Sequence, residues 1–264
     1  MNTDKNFNED SSSQILTTPR SRRSLIKGAA IGAVGVTGLA AAGIGVISAM
    51  PKNKAHAASA SGSGCSTDSL TTILSVAATA EALAVTFYSH GIKNAAAMGI
   101  TGQNLRYLTA AVVEEQLHLN LLVGAGGTLL AKTFSFPDAA NTFTNLGKFV
   151  RTLDQLETAF ESAYIAAIRE FADMGDSAHA ELSAQIVTIE AEHRALGRSL
   201  LTSINTANNW AFTPVYVKSV SDAVNVLNAE GYLSPSGSNS YAYHAHNLQN
   251  PNVTQRTPYA VACV

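Results

Sequence analysis

Along the middle of the chain, apolar positions recur every three or four residues, which predicts helices rather than strands. The first predicted helix runs from about Ser69 to Ile92, is apolar almost throughout, and stops in a turn containing Gly and Asn after His90. The second spans about Thr101 to Leu122. Its seam is Leu105, Leu108, Val112, Leu119 and Leu122, with position 115 on the same face. The run Gly124-Ala125-Gly126-Gly127 supplies a strong stop. Thr128 to Asn145, which contains Pro137, reads as a crossover long enough to return the chain to the other end of a bundle. A third helix is expected over about Leu146 to Asp173. A fourth is expected over Ser177 to Ser203, with the seam Leu182, Ile186, Ile189, His193, Leu196 and Leu200. Thr213 to Asn228 presents Val217, Val220, Val224 and Leu227 on one face and predicts a shorter fifth helix. Residues 233–264 are rich in Ser, Asn, Tyr and Pro and read as an extended tail. The expected fold is therefore all-α: a four-helix bundle over 69–204 with a long crossover, followed over 205–264 by a short fifth helix and an irregular tail packed on the bundle.

The residues before the bundle follow a different pattern. The polar stretch 1–27 ends in Ser21-Arg22-Arg23-Ser24-Leu25-Ile26-Lys27, and the next 24 residues, Gly28 to Pro51, carry no charge. Small residues follow at Ala55-His56-Ala57 and Ala58-Ser59-Ala60. A charged region, an apolar region and a small-residue cleavage site make an export signal over residues 1–57. The double arginine is similar to the twin-arginine (Tat) consensus, whose machinery carries proteins already folded. Six glycines leave the apolar stretch weakly hydrophobic, which favours a cleaved signal over a membrane anchor. The expectation is export by the Tat machinery to a periplasmic, cell-wall or extracellular location. Residues 58–68 form a Ser/Gly-rich linker.

Composition narrows the function. A net charge of -2 leaves no basic excess for nucleic acid, and a 7% aromatic, 14% charged chain suits Ala/Leu/Val helices. Two cysteines, Cys65 and Cys263, are too few and too far apart for a zinc finger. In an oxidising compartment they suggest a disulfide tying the ends of the mature chain.

The chemistry lies in carboxylates placed where apolar residues belong. Glu81 is the only acidic residue between Asp68 and Glu114, and it sits inside AATAEALAV. A buried, unpaired carboxylate is costly, so Glu81 requires a cation or a hydrogen-bonded partner. Glu115 and His118 stand three apart on one helix face, and Glu190 and His193 repeat that Glu-x-x-His arrangement. Glu157 and Glu161 lie one turn apart on the third helix. Glu81 precedes Glu115 by 34 residues and Glu157 precedes Glu190 by 33, while Tyr88 and Tyr164 each follow their glutamate by seven. The chain thus reads as two copies of one helix pair, and the matched spacing favours Glu157 over Glu161. Two Glu and two Glu-x-x-His motifs on inward-facing helices are the ligand set of a dinuclear carboxylate bundle.

Blander assignments compete. Glu81 could pair with Arg106 or Arg169, and either histidine could be a satisfied core side chain. Glu114, Glu170 and Glu192 read as solvated faces. His244 and His246, and His90 and His179, read as surface or capping residues. Tyr88 and Tyr164, two turns or roughly 10 Å from their own glutamates, read as core residues or hydrogen-bond donors rather than ligands.

On AEALAVTFY (80–88), EEQLH (114–118), LETAFESAY (156–164) and IEAEHRALGRSL (189–200), the chain resembles the ferritin-like superfamily. NNWAFTP (208–214) is similar to a segment of the exported branch that includes desiccation-related proteins. The resemblance covers about Ser69 to Leu227. It implies Glu81, Glu115, His118, Glu157, Glu190 and His193 as ligands of two Fe or two Mn ions, with Glu115 and Glu190 bridging. It further implies oxidoreductase chemistry on Fe(II) or peroxide with O2 as a partner, and is compatible with a homo-oligomer. The alternative is a non-enzymatic stress-protective or envelope protein that uses the same bundle as a scaffold.

Overall fold

A computed structural model describes residues 65–204, 206–256 and 258. The predicted export signal, most of the linker and Cys263 lie outside the described residues, and with them the proposed disulfide.

Four long helices form, each started by a polar residue. Helix α1, Leu70–Lys93, begins where the Ser69 hydroxyl accepts the Thr72 amide. Helix α2 is Gly102–Gly124. Helix α3, Leu146–Asp173, is capped by Asn145, whose side chain accepts the Lys148 amide. Helix α4, Ser177–Ser199, is capped by Asp176 on the His179 amide. Most of α1 is buried, which explains its unbroken apolar character: an 18-residue window has mean hydropathy 1.6, in the range of a membrane span, yet 83% of it lies inside the protein.

The helices pack as two hairpins, α1 with α2 and α3 with α4, joined by α1–α3 and α2–α4 contacts. At Gly197 of α4 a Cβ would stand 2.2 Å from Leu153 Cδ2, so any larger residue there would force the Leu153 side chain to shift. The crossover runs along α1 from its beginning to its end. Its Thr128 and Leu130 amides donate to the hydroxyls of Ser75 and Thr79, and its Phe136 and Phe143 rings pack on Phe87 near the far end. Phe149, opening α3, stacks on Phe87 with ring centroids 4.6 Å apart. Within the crossover, strand β1 (Thr133–Phe134) pairs antiparallel with strand β2 (Tyr241–Ala242) of the tail.

The fifth helix is shorter than the sequence pattern predicts: α5 is Asp222–Ala229, and 213–221 is irregular. Side chains of the bundle take up the backbone donors of that stretch. Tyr216 and Val217 donate to Ser162 Oγ, Val220 to Glu170, and Ser221 to Asp68. With its amides satisfied by tertiary partners, the segment forms a strap across α3 instead of a helix. Glu170, expected on a solvated face, is consequently fully buried beneath it. The fourth helix likewise ends at Ser199 rather than Ser203.

Candidate metal centre

Midway along the bundle, one or two polar side chains from each long helix turn inward. Glu81 comes from α1, Glu115 and His118 from α2, Glu157 from α3, and Glu190 and His193 from α4. They form two groups, Glu81–Glu115–His118–Glu190 and Glu115–Glu157–Glu190–His193, each offering ligand atoms within 4.8 Å of one another. Glu115 and Glu190 belong to both. All four glutamates are at most 1% exposed. His118 Nδ1 lies 3.3 Å from Glu190, and 3.7 Å from both Glu81 and Glu115. His193 Nδ1 lies 3.0 Å from Glu115 and 3.8 Å from Glu190.

The two outer carboxylates are held by tyrosines in a crossed pattern. Tyr164 of α3 donates to Glu81 Oε1 of α1, and Tyr88 of α1 donates to Glu157 Oε1 of α3. Each tyrosine reaches the glutamate of the other repeat, as antiparallel α1 and α3 require. The second oxygen of each, Glu81 Oε2 and Glu157 Oε2, has no hydrogen-bond partner; nor do Glu115 Oε2, His118 Nδ1 or either oxygen of Glu190. Buried polar atoms are normally satisfied, so six unanswered atoms facing one another are a strong anomaly. Among the described residues, no lysine or arginine forms an ion pair with any of the six side chains. The arginine partners anticipated for Glu81 are elsewhere: Arg106 donates to Gln103, and Arg169 pairs with Asp173 and Glu170.

The electrostatics follow from this crowding. Burial, then the charges of Glu115 and Glu190, push Glu81 and Glu157 well above the ordinary carboxyl value. Burial would also raise Glu115, but the neighbouring Glu81 carboxyl and the charge of His193 hold it below that value. Burial would lower both histidines; the surrounding carboxylates outweigh it and raise them. Burial and the neighbouring carboxylates raise Tyr88 and Tyr164, which keeps them protonated as donors. Without a cation, the cluster relieves its own repulsion by holding protons.

Four carboxylates and two imidazoles, hard oxygen and nitrogen donors with spare lone pairs, fit divalent cations, whose charge two such ions would match. The ferritin-like domain family matches residues 69–203, a span that takes in all four long helices and every one of these side chains. The chain belongs to the ferritin-like family. No curated protein and no solved structure matches it.

In this ferritin-like protein Glu161 stands apart from the cluster. Although 1% exposed, it accepts a hydrogen bond of 2.8 Å from Thr213 in the strap. Glu114, expected to be solvated, instead places Oε2 2.8 Å from His193 Nε2. The signal for it was in the sequence: the residue before Glu115 is a second glutamate, whereas Ile189 occupies the matching place before Glu190.

Proposed function

We propose that this ferritin-like protein holds a dinuclear Fe or Mn centre and acts as an exported oxidoreductase on Fe(II) or peroxide, in oxidative or desiccation stress. The single observation that carries the reading is the set of unpartnered carboxylate and imidazole atoms in two groups sharing Glu115 and Glu190. Bound there, a pair of redox-active ions would supply the electron transfers that dioxygen, peroxide or Fe(II) chemistry requires.

The chain's own residues prepare that site. Glu115 and Glu190 belong to both groups and would serve both ions. Tyr164 and Tyr88 occupy one oxygen of Glu81 and Glu157, and the other, unpartnered oxygen would be free to hold an ion. Both histidines turn Nδ1 inward. Leu83, Val112, Leu156 and Phe160 on the same helices are buried and apolar. The protons that Glu81, Glu157 and the histidines hold without metal are those that must leave on loading.

The test is elemental analysis of protein purified from its exported compartment without chelator, counting Fe, Mn and Zn per chain. Near two Fe or Mn per chain, with Fe(II) oxidation or peroxide disproportionation in the same preparation, is the expected result. Metal near zero would overturn the reading in favour of a scaffold. Metal without turnover would leave a structural centre and no oxidoreductase.

A further inference from the structure

The two halves of the centre are related by the internal repeat, but they are not equivalent. His193 is held at both ends: Nε2 lies 2.8 Å from Glu114 Oε2, and Nδ1 faces Glu115 and Glu190. Its side chain is 3% exposed. His118 faces the cluster through Nδ1 in the same way, but no described residue is bonded to its Nε2, and its side chain is 13% exposed. The cause is a single departure from the repeat. Glu114 on α2 reaches across to His193 on α4; the residue that would reach back from α4 to His118 is Ile189, which cannot accept a hydrogen bond.

A carboxylate on the outer nitrogen of an imidazole fixes the tautomer and the ring plane, keeps the inner lone pair aimed at a metal, and raises its basicity. Resting on the dinuclear reading, we propose that Glu114 is a positioning residue that makes the two metal positions unequal. The Glu157–His193 position binds its ion first and more tightly, and the Glu81–His118 position binds second.

The full chain, stripped of metal, can be titrated with Co(II) under argon and followed by the visible absorption of the ion. Two steps are expected, the first at least about tenfold tighter. Glu114→Ala weakens the first step by roughly 10–100-fold and leaves the second in place. Glu114→Gln, which keeps an acceptor oxygen, loses less. Ile189→Glu supplies the missing partner of His118 and narrows the gap between the steps. His118→Ala retains the tight step; His193→Ala abolishes it. An unchanged melting temperature of the metal-free Glu114→Ala protein would separate positioning from a structural role. Equal steps in the unmodified protein, a first step untouched by Glu114→Ala, or loss of the tight step in His118→Ala would each overturn the proposal. Two ions bound with equal affinity would sink only this inequality, whereas no bound Co(II) at all would sink the dinuclear reading with it.

Discussion

Two sets of carboxylates meet on α3, an outer one made of Asp154 and Glu161 and an inner one that includes Glu157, a turn from each, and the two are answered in opposite ways. In the outer one, Asp154 receives Arg194 at 2.8 Å and Arg198 at 2.7 Å. Arg194 also donates to Asn209 and lies 3.3 Å from the centroid of the Trp210 ring; Arg198 donates to the Ala207 carbonyl; Thr213 closes on Glu161. The protein supplies a partner for each of these side chains, from α4 and from residues 207–213. In the inner cluster four glutamates face two histidines, no ion pair with lysine or arginine forms among the described residues, and six buried atoms have no hydrogen bond. Burial of a carboxylate therefore does not by itself mark a metal site, since Glu161 is as buried as Glu157. What sets the inner cluster apart is that its unanswered atoms face one another, with no lysine or arginine paired to them among the described residues.

The largest expected effect tests that contrast directly. Glu115→Gln removes a donor common to both positions, so metal per chain should collapse toward zero; Asp154→Ala should leave it unchanged. Retention of metal by Glu115→Gln would erase the distinction between the clusters.

A second test uses pH. Glu81, Glu157, His118 and His193 all have raised folded-state values. In metal-free protein they bind protons more tightly folded than unfolded, so their contribution is fully present at low pH and is lost as pH rises. The loss begins above the ordinary glutamate value of 4.5 and continues past the ordinary histidine value of 6.5. Glu115, held low, works in the opposite sense and only below 4.5. Denaturant melts of metal-free protein should thus weaken as pH climbs, while metal affinity strengthens because loading releases protons. Metal-free stability that rose with pH across this range would contradict the proton-holding picture.

Smaller effects belong to the outer cluster. Asp154→Ala strands two guanidinium groups and should cost roughly 2–3 kcal/mol in chemical denaturation, below the figure for a fully buried pair because Asp154 is partly exposed. Glu161→Gln alters only the partner of Thr213 and should cost about 1 kcal/mol or less, with metal content intact. Metal loss in Glu161→Gln would move that residue into the centre.

Much of this was legible before the fold. Glu81 announced itself as a lone acid in an apolar run, and the repeated Glu-x-x-His spacing brought six residues to notice that the fold then gathers. The crossed tyrosines were only half legible: the seven-residue spacing was visible, but its meaning depends on antiparallel packing of α1 on α3, which no local pattern encodes. Glu170 was misread because it is covered by the strap, a segment distant in sequence whose helical periodicity loses to tertiary hydrogen bonds. Glu114 lay next to a candidate ligand, yet its target is on another helix. Periodicity reports the face on which a side chain lies; it does not report what folds over that face.

The crossed tyrosines have a consequence for how the protein comes apart. Each hairpin buries a glutamate whose hydroxyl donor belongs to the other, across 69 residues in one case and 83 in the other. Neither hairpin can be left standing with its own carboxylate satisfied, so a half-folded state gains little from the half it keeps. The two repeats, separable on paper, are expected to exchange their amide hydrogens as one cooperative unit.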